Sequence, residues 1–111
     1  MLDELTFRRN ADQAIESLKQ SLIEAEEVGG FEVEEQNGVL NIVFDEPPAK
    51  FVITPNAPVR QIWISALATS FKLDWSETEN DFVHPKDSLP LRPLVAWLIN
   101  QQLGEEAVRL A

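Results

Sequence analysis

Carboxylate side chains are concentrated early in this sequence and are its residues best suited to bind a cation. Residues 1–46 hold twelve Asp or Glu against three Lys or Arg, and the 111-residue chain has a net charge of −10. Carboxylate oxygens suit hard cations such as Mg²⁺, Ca²⁺ and ferric iron, and they tolerate ferrous iron. The candidate metal ligands are Asp12, Glu16, Glu24, Glu27, Glu32 and Glu34. With no converging His or Cys donors, they predict weak binding, partly through water.

The alternative interpretation is that these acids form an ordinary solvated surface. Lys or Arg four residues further along is nearly absent, so the acids are not paired as they are on a stabilised surface helix. Like charges held close together lower stability, which favours a role in binding a cation or a basic protein patch. The same charge makes nucleic acid and anionic membranes poor partners.

A second group of candidate residues surrounds Trp63. In the segment 59–65, read as a strand, Ile62 and Ile64 share one face, which leaves Trp63 on the polar face with its neighbours. Tryptophan and arginine are enriched at binding hot spots. The predicted partner-binding residues are Arg60, Gln61, Trp63, Ser65 and Lys72. Arg60 could pair with a partner carboxylate or hold Trp63 by a cation–π contact. The alternative is a tryptophan packed under a loop or at a sheet edge.

Conventional catalytic groups are missing from the sequence. There is no cysteine and only one histidine, His84, which is expected at the surface. A lone histidine supports neither a catalytic triad nor a structural zinc site. No phosphate-binding loop or nucleophile elbow is present. These observations predict a protein that is not an enzyme, and no organic cofactor.

The elements that would position these residues follow from hydrophobic spacing. Apolar residues at three- and four-residue intervals predict a helix over residues 7–28, ending at Gly29-Gly30. A second helix is expected after Ser88, its N-cap, with a stripe from Leu91 to Gln102 that has Trp97 beside it as core or core edge. Predicted strands cover residues 31–35, 39–44, 51–54, 59–65, 69–75 and 81–84, with Asn37-Gly38 as a hairpin turn.

The order of helix, about six short strands and helix predicts an α+β fold. Short connections favour antiparallel pairing. The expected architecture is a two-layer sandwich in which two roughly parallel helices cover one face of the sheet and the other face is open to solvent. All 111 residues are expected to form a single domain.

This layout, with certain residues, resembles the frataxin family, most closely its bacterial CyaY-type members. The motifs are Gly38-Val39-Leu40, Gln61-Ile62-Trp63-Ile64-Ser65 and Leu73-Asp74-Trp75, together with the opening Phe7-Arg8-Arg9-Asn10-Ala11-Asp12. The resemblance covers about residues 7–103. It implies weak iron binding at an acidic surface. It also implies association with the cysteine desulfurase–scaffold complex that builds iron–sulfur clusters, and adjustment of its rate.

The sequence also departs from the family pattern. Thr54 and Val59 stand where relatives often have asparagine. The acidic ridge is thinner, because Gln20, Ile23, Gly29 and Gly30 occupy positions that are often acidic in relatives. We expect these departures to alter the contact with the partner and the number of iron sites.

Three functional hypotheses follow. The first is an iron-binding protein that modulates iron–sulfur cluster assembly by docking on the desulfurase and scaffold. The second is an acidic interaction module whose metal binding is incidental. The third, a ferroxidase or iron-storage enzyme, ranks last because it would need a closed site lined by histidine and glutamate. The expected form is a monomer, with iron-dependent oligomers as an alternative. The expected location is the bacterial cytoplasm, or an organelle after processing.

Overall fold

The computed structural model of the protein describes residues 3–28, 30–45, 48–104 and 108. Its first helix, α1, spans Glu4–Ala25 and continues as a 3-10 turn at Glu26–Val28. The helix begins where the Asp3 carboxylate accepts a hydrogen bond from the Thr6 amide at 2.7 Å. Its buried stripe is Phe7, Ala11, Ile15, Leu18 and Leu22. The helix therefore starts three residues before the predicted position, and Gly29 lies outside the described residues.

Seven antiparallel strands form one sheet in which the spatial order equals the chain order. They are β1 Phe31–Gln36, β2 Val39–Asp45, β3 Pro48–Asn56, β4 Gln61–Ala66, β5 Thr69–Ser76, β6 Asp81–His84 and β7 Leu89–Pro90. The predicted Asn37-Gly38 turn joins β1 to β2, with φ of 54° and 81° at its two residues. Two left-handed residues are what a two-residue hairpin loop requires.

Both helices cover the same face of the sheet. Residues that alternate along the central strands, such as Leu40, Ile53, Ile62 and Leu73, are fully buried against α1 and against α2, which spans Leu91–Leu103. Side chains between them point to the opposite face, which no helix covers. The predicted two-layer α+β sandwich is therefore confirmed, with seven strands instead of about six.

The two helices run in the same direction along the sheet. Near the start of α2, the Arg92 guanidinium donates hydrogen bonds to the hydroxyls of Ser17 and Ser21 on α1. At the far end, Leu103 approaches Gly30, just beyond α1, so closely that a Cβ at Gly30 would lie 2.7 Å from a Leu103 methyl carbon. Gly30 also has φ of +97°, a conformation that favours glycine.

The start of the second helix was predicted wrongly. Ser88 is not its N-cap, because Ser88 has φ of +59° and its amide donates to the His84 carbonyl at 2.8 Å. The next two residues form β7, which pairs with β6. The helix begins only at Leu91, where the fixed φ of Pro90 suits the N-cap.

The strand predicted over residues 59–65 starts later. Ala57–Val59 form a 3-10 turn, Arg60 adopts a left-handed conformation with φ of 56°, and β4 begins at Gln61. Pro58 sits in the first positions of this turn, where a proline is favoured.

Trp97 was expected at the core or its edge, but 49% of the residue is exposed. The buried residues of α2 are Leu91, Leu94, Val95, Ala96, Leu98 and Ile99. Trp97 lies outside this stripe, on a surface that the sheet does not cover.

Candidate functional site

Trp63 lies half-buried on the uncovered face of the sheet, and two neighbours hold its ring in place. Its indole N–H donates to the Gln61 side-chain oxygen at 2.8 Å, and the Gln61 amide donates to Asp74 Oδ1 at 2.9 Å. The Lys72 ammonium lies 4.8 Å from the centroid of the ring. These contacts orient a large apolar surface toward solvent and place a cation beside it.

Strand register explains why these residues meet. On β4 and β5, Trp63 is directly opposite Lys72, Gln61 is opposite Asp74, and Ser65 is opposite Ser70. Directly opposite residues on one face lie close enough for their side chains to touch. The structure therefore brings four of the five predicted partner-binding residues into one area. We call Gln61, Trp63, Ser65 and Lys72, together with Asp74, the Trp63 patch.

Arg60 is placed differently from the prediction. It precedes β4, and both its amide and its guanidinium donate to the Ala57 carbonyl. Its charge also contributes to lowering the pKa of Asp3, although the main cause there is the hydrogen bonding of Thr6. The cation–π contact with Trp63 that was predicted for Arg60 is made by Lys72 instead.

All six candidate metal ligands are exposed: Asp12, Glu16, Glu24, Glu27, Glu32 and Glu34. Glu32 and Glu34 alternate with buried Phe31 on β1, so they share the uncovered face with the Trp63 patch. The other four lie on α1 and the 3-10 turn after it. Of the six acids, only Glu32 and Glu34 therefore lie on the same side of the molecule as Trp63.

The acids differ in how far they are already neutralised. Glu16 lies 3.8 Å from the Lys19 ammonium and accepts a hydrogen bond from Gln20 at 3.0 Å. Lys19 also contacts Glu35 at 3.0 Å, and these two acids raise the pKa of Lys19, with the Glu35 hydrogen bond the largest cause. The expectation that the acids have no basic partner is therefore wrong for Glu16. Glu24 and Glu27 lack an ion pair with any residue in the described ranges.

No three acidic or histidine side chains converge on one point within residues 3–28, 30–45, 48–104 and 108. The α1 C-terminus nevertheless concentrates negative potential, because its last turn carries no basic residue. The helix dipole adds its negative end at the same place. Exposed carboxylates of this kind fit a hydrated cation held weakly through one or two ligands.

Comparison with known proteins decides the family. The family model for the frataxin-like domain matches residues 1–105. The chain belongs to the frataxin-like family. A mitochondrial frataxin from Dictyostelium discoideum is 39% identical over 71% of this chain and 41% of its own length. The iron-sulfur cluster assembly protein CyaY of Azotobacter vinelandii is 27% identical over 85% of this chain and 86% of its own length.

The frataxin-like fold is also found in a solved structure. A frataxin from Psychromonas ingrahamii superposes with a TM-score of 0.80, covers 94% of both chains and has 17% identity. This similarity supports the architecture of two helices on an antiparallel sheet. Among the described residues, no helix is long and apolar enough to cross a membrane.

Two residues that support this surface, Asp74 and Glu26, were not among the predicted site residues, although Asp74 belongs to the motif Leu73-Asp74-Trp75. Asp74 positions Gln61, and the β4–β5 register that pairs them could have been derived from a two-residue turn at Leu67-Ala68. Glu26 accepts a hydrogen bond from the Val33 amide at 2.9 Å and ties the end of α1 to edge strand β1. No spacing pattern in the sequence predicts the hydrogen bond between Glu26 and Val33, because it depends on how the chain turns after α1.

Proposed function

We propose that this frataxin-like protein takes part in iron–sulfur cluster assembly, binding iron weakly and docking on the cysteine desulfurase–scaffold complex to modulate its activity. Relatives over most of the chain carry the name iron-sulfur cluster assembly protein CyaY. The protein acts as a regulator and not as an enzyme. Iron is its cargo or its signal.

The observation that carries this proposal is the Trp63 patch. The ring of Trp63 lies on an uncovered sheet face and is held by Gln61 and Lys72. Because the side chain is already ordered, it loses little conformational entropy when a partner binds. Burial of the ring in an apolar pocket of the partner supplies affinity. Glu32 and Glu34, on the same face, direct the encounter toward a basic partner surface.

Iron binding is proposed for the exposed acids of α1 and β1. Glu24, Glu27, Glu32 and Glu34 are the strongest candidates, since Glu16 already has Lys19 as a partner. Carboxylates accept iron in either oxidation state, with water completing the coordination. We expect micromolar or weaker affinity that falls as salt is added. The proposed state without iron is a monomer, with oligomers only when iron is in excess.

A second candidate function is an acidic interaction module in which metal binding is incidental. The separation of the acids favours it, because no three of them converge within the described part of the chain. The two candidates differ in one respect. Iron controls the effect on the desulfurase in the first and has no influence on it in the second.

The test is an amide NMR titration of labelled protein with ferrous iron, without oxygen, followed by a purified cysteine desulfurase. We expect iron to shift resonances of residues 16–35, and the desulfurase to shift these together with residues 61–65. Trp63→Ala should remove the desulfurase response and keep the iron response. Absence of any desulfurase-induced shift at residues 61–65 would contradict the docking proposal.

A second measurement separates the two candidates. Desulfurase activity is followed with and without iron, using wild type and the triple variant Glu24→Gln, Glu27→Gln, Glu32→Gln. In the first candidate the variant loses the iron dependence of its effect. An iron-independent effect that is equal in both proteins would favour the interaction module.

A further inference from the structure

A second tryptophan surface lies on the opposite side of the sheet from the Trp63 patch. A partly enclosed cavity of about 340 Å³ opens beside Trp97. Phe71 and Leu89 line it from the helix-covered face of the sheet, and Leu94 lines it from α2. A ligand-sized cavity in proteins is about 300 Å³ or larger and is lined mainly by apolar and aromatic side chains. The cavity meets both conditions and belongs to no part of the interface proposed above.

The rim of this cavity carries a lysine, Lys86, whose acidic neighbour Asp87 already accepts hydrogen bonds from other residues. Asp87 accepts hydrogen bonds through the same oxygen from the Leu89 amide at 3.1 Å and from His84 Nδ1 at 3.0 Å. Burial raises the pKa of Asp87, but these hydrogen bonds outweigh it, so the pKa is lowered and the carboxylate stays ionised. Lys86, also on the rim, makes no hydrogen bond or ion pair with another described residue. Lys86 and the ionised Asp87 thus give the rim one charge of each sign, and of the two only the lysine has no partner among the described residues.

The β4–β5 turn at the rim has a strained backbone and carries an exposed apolar side chain, Leu67. The β4–β5 turn consists of Leu67 and Ala68, with φ of 52° and 60°. A left-handed residue other than glycine, asparagine or aspartate costs roughly 1–2 kcal/mol. The turn nonetheless places Leu67, which is 39% exposed, at the cavity wall. Strain of this kind is found preferentially at functional sites.

We propose that this cavity binds a small hydrophobic carboxylic acid. The apolar body of the ligand packs on Trp97, Phe71 and Leu94, and its carboxylate pairs with the Lys86 ammonium. Leu67 closes one side of the bound molecule. A neutral apolar molecule would fill the same space while Lys86 stays hydrated, so the ion pair gives the acid only the modest preference of an exposed salt bridge.

The experiment uses the full chain with Trp63→Phe and Trp75→Phe, which leaves Trp97 as the only tryptophan. Phenylpropionate is titrated while Trp97 emission and amide NMR shifts are recorded, and phenylpropionamide serves as the neutral probe. We expect saturable emission changes and shifts confined to residues 67–71, 84–89 and 94–97. The acid should bind roughly two- to fivefold more tightly than the amide, as a solvent-accessible ion pair allows.

Two variants sharpen the test. Lys86→Gln should abolish the preference for the acid, whereas Lys50→Gln, an exposed lysine on the uncovered face, should keep it. Leu67→Asn suits the left-handed turn, so it should raise stability while weakening binding of both probes. The proposal is overturned if neither probe perturbs the three segments. Equal affinity of the two probes in wild type, or an acid preference that survives Lys86→Gln, would also overturn it.

Discussion

At the scale of single residues, orientation distinguishes Trp63 from an ordinary surface aromatic. Its indole N–H is committed to Gln61, which is in turn bound to Asp74, so the ring cannot rotate without breaking a chain of hydrogen bonds. The Lys72 ammonium lies over one face of the ring, and Trp63 as a whole is half-buried. A pre-oriented side chain loses less conformational entropy when a partner buries it.

Substitution of Trp63 therefore separates binding from folding. Trp63→Ala should weaken desulfurase binding by about 2 kcal/mol or more, roughly thirtyfold, because hot-spot tryptophans carry that much. Ile62→Ala, at a fully buried neighbour, should cost about 2–5 kcal/mol of unfolding free energy. Calorimetric titration and urea unfolding of both variants measure the contrast. If Trp63→Ala were the more destabilising of the two, the tryptophan would be a packing residue.

Asp81 gives a prediction about pH. Burial raises its pKa, and the opposing effects of the Phe82 amide and the Arg92 charge are smaller. The protonated form therefore stabilises the fold fully below the unfolded pKa of 3.8, and this contribution is lost as pH rises through the raised value. Asp81→Asn, which keeps an acceptor for the Phe82 amide, should raise the urea midpoint at pH 7.

The gain from Asp81→Asn should shrink as pH falls and vanish below 3.8. Urea unfolding at several pH values, with the exposed Asp12→Asn as control, provides the measurement. A gain of the same size at every pH would show that ionisation of Asp81 is not its cause.

At the scale of elements, the β4–β5 hairpin contains an avoidable strain. Its two-residue loop has left-handed residues at Leu67 and Ala68, where glycine or asparagine is normally found. Ala68→Gly should raise the free energy of unfolding by about 1 kcal/mol, since relief of left-handed strain exceeds the entropy that glycine adds to the unfolded chain. Ala66→Gly, at a buried strand position, is the matched control and should lower stability. Chemical unfolding of the two variants tests the assignment of the turn.

How much of this architecture the sequence could predict depends on the kind of signal. The buried stripe of α1 and the Asn37-Gly38 hairpin follow from local periodicity and turn chemistry, and both are found in the structure. The left-handed conformations of Arg60 and Ser88 were missed, because neither residue type favours them. Each residue closes a local turn, in which the Arg60 amide donates to the Ala57 carbonyl and the Ser88 amide to the His84 carbonyl. The two-residue strand β7 is too short to leave a pattern.

The candidate site was predictable to a similar degree. Strand alternation alone places Gln61, Trp63 and Ser65 on one face, and Lys72 joins them through hairpin register. Trp97 was misassigned because a helical stripe is about a third of the circumference and its edge is not sharp. The engagement of Glu16 by Lys19 depends on rotamers that spacing does not determine.

At the scale of the whole molecule, part of the negative charge lies at the end of α1, where it lowers the stability of the fold. Glu24 and Glu27 lie at the C-terminal end of α1, beside the negative end of the helix dipole and with no basic residue in the last turn. Each such charge costs typically about 0.3–1 kcal/mol at low ionic strength. This cost supports the proposal that these acids bind a cation or a basic partner.

The double variant Glu24→Gln, Glu27→Gln should therefore be more stable than wild type, by about 0.6–2 kcal/mol in low salt. Added NaCl should raise the melting temperature of wild type more than that of the variant, because screening removes the same repulsion. A divalent cation should raise it further in wild type only, since binding to the folded state adds stability. Glu77→Gln, in the exposed β5–β6 loop, is the control for a general loss of charge. If the melting temperature of wild type responds to neither salt nor divalent cation, the acids at the α1 terminus do not act together, and iron must bind elsewhere if it binds at all.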